Sequence, residues 1–267
     1  MLKYPILLIH GMGFRDNKYL NYWGRIPDYL ESIGCKVFYG YQDSNASIED
    51  NAEMLKKRID IILKNENISK LNVIAHSKGG LDMRYAISSL GVGKNVASLT
   101  TLATPHNGSK TIDKIMLLPK VLLYGVFFVC DLWMRFLGDK KPNTYKVVKE
   151  LSTVSAKKFN EKNEPCIDTY YQSYGFIMKN ALSDIFLTIP YIFVYLFEGK
   201  NDGLLSPQST VYGDFKGIVE SNSNRGISHC DEVDMRRRKL TKVQGRGQSD
   251  ILDLYKDIVI DLYKKGF

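Results

Sequence analysis

Short apolar runs alternating with stretches of helical period constrain this chain most. Ile6-Leu7-Leu8-Ile9 is continuous and apolar, the pattern of a strand covered on both faces. Residues 20–33 carry apolar positions at helical spacing and stop at Gly34, a C-cap residue. Residues 36–41 read as the next strand. Residues 45–65 read as a helix, with Ser47 as N-cap and Glu49 and Asp50 in its first turn. Residues 71–75 are a third strand, 81–90 a third helix and 96–102 a fourth strand. This alternation predicts an α/β chain of βαβ units with a mostly parallel sheet. In such sheets reactive groups collect beyond the carboxyl ends of the strands.

After residue 110 the rhythm breaks. Residues 115–137 are strongly apolar, strand-like pattern returns at 167–174, and a second apolar run spans 185–197 around Pro190. Periodicity alone leaves that run open between strand and helix. Residues 215–220 read as a last strand and 251–263 as an amphipathic closing helix. With 267 residues, no linker and no internal repeat, the chain reads as one domain (1–267) carrying an insertion at about 111–165.

The chain has 37 basic and 29 acidic residues, a net charge of +8. The run Arg236-Arg237-Arg238-Lys239 lacks interleaved aromatics and reads as a solvated basic face, so no nucleic-acid partner is expected. Cys35, Cys130, Cys166 and Cys230 form no CxxC pair, so neither a zinc site nor a dithiol motif is suggested; a single disulfide stays open, but four scattered cysteines do not make a disulfide scaffold. The apolar part of the N-terminus is too short for a signal peptide. A cytoplasmic protein and a secreted chain beginning at its mature end both stay open.

Val73-Ile74-Ala75-His76-Ser77-Lys78-Gly79-Gly80 places a serine between a strand and a helix. The pattern A-x-S-x-G is a variant of the nucleophile elbow of α/β hydrolases. Small residues at 75 and 79 suit a strained turn where the chain passes close to itself. The following helix turns N–H groups and its positive end toward a developing oxyanion.

A catalytic serine needs a base, and histidine suits neutral pH. Of four histidines, His76 must point away from its neighbour Ser77. His10 and His106 lie where they orient loops at the sheet edge. His229 remains, in a polar loop after the last strand. The order nucleophile, acid, histidine puts the acid between Ser77 and His229. Asp202, in Asn201-Asp202-Gly203, is the choice, with Asp184 and Asp214 as fallbacks; the plain alternative for Asp202 is an Asp-Gly turn. Backbone N–H groups of Met12 and Lys78 are the expected oxyanion donors, and side-chain changes there should be mild.

Together these segments resemble the bacterial true lipases, triacylglycerol hydrolases of the α/β-hydrolase fold. The resemblance rests on residues 5–11, on 72–81 with Arg84-Tyr85, on Thr100 to Ser109 containing Thr104-Pro105-His106-Asn107-Gly108-Ser109, on 201–206, and on His229-Cys230-Asp231-Glu232. It spans most of the chain outside roughly 110–165. It implies a helix and loop, not a strand, before Asp202. It implies no required cofactor, with Asp231 as a candidate ligand for a structural calcium. Met235 stands where the family has a glutamine, no upstream acid is identifiable, and Asp231 otherwise reads as a helix N-terminal acid.

The resemblance also makes the insertion a lid. Residues 115–137 are expected to be amphipathic, apolar toward the acyl cleft and polar outward, in transient contact with a lipid interface. Plain core is the alternative; Pro119 and Asp131 leave too short an apolar stretch to span a bilayer. The expected activity is a serine carboxylester hydrolase, most simply a lipase for medium- to long-chain acyl esters. Esterase, thioesterase, phospholipase and acyltransferase chemistry use the same three residues, and a catalytically silent binding module is the rival outside catalysis. Oligomeric state is not legible.

Overall fold

The structure, a computed structural model, describes residues 2–16 and 21–267. Six strands form one sheet in the order β2-β1-β3-β4-β5-β6. They are β1 (Ile6–Ile9), β2 (Val37–Tyr39), β3 (Leu71–His76), β4 (Val96–Leu102), β5 (Tyr170–Gly175) and β6 (Asp214–Ile218). Every neighbouring pair runs parallel. The expected α/β-hydrolase architecture is therefore present.

Pleating sends successive side chains to opposite faces, and each face has its own core. Ile6 and Leu8 of β1, with Ile74 and Leu102, pack with α1 (Ile26–Ser32) and α9 (Ile251–Lys264). Leu7 and Ile9, with Val73, Ala75 and Leu99, pack against α2 (Ile48–Glu66) and α3 (Lys78–Ser89). Both faces of β1, β3 and β4 are buried, which explains why these strands lack polar alternation. Strand order reverses between β1 and β3, and the ends of those two strands face the same crevice.

Several boundaries differ from expectation. The first helix begins at Ile26, because Pro27 favours a first turn, where no N–H is needed, and residues 22–25 form turns; residue 20 lies outside the described residues. Gly34 does close it, with φ 87° and its N–H donating to Glu31 O. The third helix starts at Lys78 rather than residue 81, so Ser77 itself stands at its N-terminus. The strand expected at 167–174 begins at Tyr170, since Ile167 sits exposed in a turn. Ser47 caps α2 as expected, its side chain accepting from Asp50 N.

The second apolar run is helical: α8 (Thr188–Glu198) follows a short turn at Ile185–Leu187, and Pro190 lies in its first turn. Between β4 and β5 lie α4 (Lys110–Ile115), α5 (Lys120–Phe136), α6 (Thr144–Glu150) and α7 (Thr153–Lys162). The expected polar-out helix at 115–137 is corrected here. On α5 only Leu123 and Met134 are buried, and Val121, Phe128, Trp133 and Phe136 face outward. No helix among the described residues is long and apolar enough to cross a membrane.

Candidate active site

Ser77 occupies the turn between β3 and α3 with φ 53° and ψ −133°, a conformation that costs a non-glycine residue about 1–3 kcal/mol. Neighbouring backbone holds it there. Its N–H donates to Leu102 O (2.9 Å) and its carbonyl accepts from Thr104 Oγ1 (2.7 Å). The surrounding residues are small because the space is taken. A Cβ on Gly79 would stand 2.4 Å from His10 O, and one on Gly11 would stand 2.8 Å from Ser77 Cβ.

His229 and Asp202 come from different loops and meet. His229 Nδ1 lies 2.9 Å from Asp202 Oδ2, and His229 N donates to Asp202 O at 2.9 Å. Asp202 Oδ1 meanwhile accepts from Leu204 N and Leu205 N, both at 2.8 Å. One carboxylate thus closes an Asp-Gly turn with one oxygen and orients an imidazole with the other. The His229 ring sits 4.4 Å, centroid to centroid, from that of His76, the residue before Ser77. Among the described residues Ser77 makes no side-chain hydrogen bond to His229; in substrate-free sites this contact is often long.

A second buried acid joins the cluster. Glu232 Oε2 is 2.9 Å from His76 Nε2 and 3.8 Å from His229 Nδ1. Burial, and then the neighbouring Asp202, hold the Glu232 carboxyl well above the usual carboxylate range. Burial, and then His229 and His10, keep His76 neutral. Its Nδ1 meets Tyr22 OH at 2.6 Å, so the ring points away from Ser77 as expected. His76, His229 and Glu232 present three ligand-type atoms within 4.8 Å of one another; His76 Nε2 is held by Glu232 itself and His229 Nδ1 by Asp202.

The other two histidines hold loops. Arg84 Nη1 donates to His106 Nδ1 (3.2 Å), leaving Nε2–H to donate to Thr101 Oγ1 (3.0 Å), and burial keeps this ring neutral. The His10 ring lies against the carbonyls of Gly11 and Gln42. Neither fallback acid touches His229. Asp184 binds Ser228 Oγ, and Asp214 lies on β6 beside Tyr170 and Lys216.

Among the described residues the backbone N–H groups of Met12 and Lys78 have no internal acceptor, as oxyanion donors require. The side chain of Lys78 departs from expectation. It is buried, and its Nζ donates to Asp82 Oδ1 at 2.6 Å, so its loss would strand a buried acid.

Asp231 opens a short turn (Asp231–Val233), which matches the N-terminal acid alternative. Its surroundings do not fit calcium. Asp231 Oδ1 lies 3.3 Å from Arg236 Nε and its Oδ2 lies 3.8 Å from Arg225 Nη2. Arg236 Nη2 is 2.6 Å from Asp184 Oδ2. Two carboxylates already face two guanidiniums, whereas a divalent ion needs uncompensated oxygen donors. Arg236 is accordingly not part of a solvated basic face. All four cysteines are free.

Sequence reasoning missed Glu232, Asp82 and the Asp184–Arg236 pair. Only Glu232 left a signal, an acid three residues after His229 on a turn.

The chain matches the family model described as palmitoyl protein thioesterase over residues 5–181. Triacylglycerol lipase 2 of Saccharomyces cerevisiae is 30% identical over 281 residues, covering 94% of this chain and 78% of that protein. The triacylglycerol lipase of Pseudarthrobacter phenanthrenivorans is 34% identical over 117 residues, 42% of this chain and 36% of that one, so this likeness is local. Among solved structures, the Staphylococcus hyicus lipase aligns with TM-score 0.70 at 17% identity over 98% of this chain and 97% of that one. A mature Bacillus licheniformis lipase aligns with TM-score 0.67 at 20% identity over 88% of both. At these identities the two structures speak for the fold, and the yeast relative and the family model for descent. The chain belongs to the lipases of the α/β-hydrolase class, in the family that the palmitoyl protein thioesterase model describes, and is a carboxylic ester hydrolase.

Proposed function

We propose that this hydrolase is a serine lipase that cleaves medium- to long-chain acyl esters through an acyl-Ser77 intermediate. The 2.9 Å contact of His229 Nδ1 with Asp202 Oδ2, beside the strained Ser77 turn, carries this reading. With Nδ1–H donated to Asp202, Nε2 is free to accept the Ser77 proton. Ser77 Oγ attacks the ester carbonyl, and the N–H groups of Met12 and Lys78 receive the oxyanion. The C–O bond breaks as His229 returns its proton to the leaving alcohol. Water, deprotonated by His229, then attacks the acyl carbon and frees Ser77.

The acyl preference follows from the insertion. Its helix α5 serves as the lid, supported by an anchor at its C-terminal end: Arg15 Nη1 donates to Asp139 Oδ1 (2.9 Å), tying that end to the loop after β1. The yeast and Pseudarthrobacter relatives are named triacylglycerol lipases. The family match favours a second reading, an acyl thioester substrate with the same acyl-Ser77 intermediate.

Hydrolysis of p-nitrophenyl esters of increasing chain length, beside an acyl thioester of matched chain, tests both. Activity rising toward long chains and absent in Ser77→Ala supports the lipase. A preference for the thioester at equal chain length moves the substrate to the second reading, and activity surviving in Ser77→Ala removes the nucleophile.

A further inference from the structure

The loop that carries His229 is closed by a cation, and that cation belongs to the chain. Ser228, immediately before His229, donates from Oγ to Asp184 Oδ2 (2.8 Å) and from N to Asp231 Oδ2 (3.2 Å). Both carboxylates are buried, with relative exposures of 2% and 4%. Arg236 bridges them, with Nη2 2.6 Å from Asp184 and Nε 3.3 Å from Asp231. Its Nη2 also donates to Ser183 O (3.2 Å), a carbonyl that receives Arg225 Nη1 as well (3.1 Å). Asp184 lies on the loop before α8, so the bridge joins that loop to the base loop on both sides of His229.

We infer that the Arg236 guanidinium is the resident cation of this loop, in the place where the family resemblance led to an expectation of calcium, and that the loop is ordered without metal. Charge supports this. The acids contribute two negative charges, and Arg236 with Arg225 contributes two positive ones. A divalent ion would find the carboxylates neutralised and the Ser183 carbonyl occupied. Removal of Arg236 reverses the situation: two buried carboxylates, a carbonyl and a hydroxyl are left without their main cation, an oxygen-rich set of the kind calcium binds. The thermal test below does not depend on His229 being the base; only its kinetic consequence rests on that reading.

The experiment measures the thermal midpoint and ester hydrolysis of the full chain, in EDTA and in millimolar calcium chloride. Wild type should be unmoved by either. Arg236→Met, which keeps the aliphatic stem, should melt about 5–10 °C lower in EDTA. It should lose about 10–100-fold in kcat through a displaced His229. Calcium should restore most of both losses. If Arg236→Met does not fold without calcium, Arg236→Met with Asp231→Asn keeps the question open to measurement: removing the stranded charge should recover the fold and abolish the calcium response. A wild-type midpoint that falls in EDTA or rises with calcium overturns the inference. So does an Arg236→Met protein as stable as wild type, or one that calcium leaves unchanged.

Discussion

At Ser77 the strain in the backbone and the crowding around it are one fact. The turn persists because Gly11 and Gly79 leave no Cβ to clash and because Leu102 O and Thr104 Oγ1 hold both sides of the serine. Ser77→Ala leaves this backbone intact, so the protein should fold and lose about 10⁴–10⁶-fold in kcat. The acid should behave less simply. Asp202→Asn in an isolated triad costs about 10⁴-fold by favouring the wrong imidazole tautomer. Here Glu232 Oε2 lies 3.8 Å from the same Nδ1, and Asp202 is one reason its carboxyl stays protonated. Without that charge Glu232 ionises more readily and takes over the orienting role. Asp202→Asn should therefore lose only about 10²–10³-fold, and Asp202→Asn with Glu232→Gln about 10⁴-fold. Equal losses in the single and double variants would exclude Glu232. The sequence made Ser77, Asp202 and His229 legible because each sits in a local pattern with a fixed chain order. Glu232 left only its spacing from His229, because its contact with His76 spans 156 residues and lies beyond any local pattern.

Elements were legible where one face or both faces were buried. β4 falls at 96–102 as read, since all seven of its residues are covered. The edge element β6 has no fully buried residue and was read less sharply, at 215–220 for Asp214–Ile218. Side-chain contacts between elements distant in the chain were not legible, and one of them is titratable. Glu150, at the end of α6, accepts from Ile48 N at the start of α2 (3.0 Å), while its other oxygen is buried without a hydrogen bond, 3.7 Å from Lys146 Nζ. Burial pushes this carboxyl up to about 7 from an ordinary 4.5. The fold thus binds the proton more tightly than the unfolded chain does. The protonated form stabilises, and that stability is lost as pH rises from about 4.5 through about 7. Glu150→Gln keeps the acceptor for Ile48 N and never ionises. It should be neutral in stability near the ordinary carboxylate range and stabilising above neutrality, by about 1–3 kcal/mol, checked by denaturant unfolding along a pH series. An equal effect at both ends of the series would place its cause outside titration.

Over the whole molecule the dominant surface feature is apolar. α5 exposes Val121 at 86% and Phe136 at 80%, and the turn leading to α8 exposes Phe186 at 88%. α4 packs against α8, so the run that enters α5 starts beside the second apolar helix. Exposed apolar side chains in such number mark a contact surface, and no helix among the described residues is long and apolar enough to cross a membrane. A lipid surface satisfies both conditions, because helices can lie in the interface with their apolar faces sunk among acyl chains. The net charge of +8 adds attraction to anionic lipid that salt screens, whereas apolar insertion is insensitive to salt. The two contributions can therefore be separated. The protein should sediment with anionic phospholipid vesicles at low salt, keep part of that binding at high salt, and bind neutral vesicles more weakly. Val121→Ser with Phe128→Ser and Phe136→Ser removes about 1.5–3 kcal/mol of burial for each side chain. The salt-resistant fraction should then fall by at least ten-fold while hydrolysis of a short soluble ester is unchanged. Loss of the salt-resistant fraction alone would place α5 in the membrane interface and leave the triad chemistry independent of it. Unchanged vesicle binding would instead make the outward face of α5 a surface for something other than lipid, and the acyl preference would then have to come from the cleft.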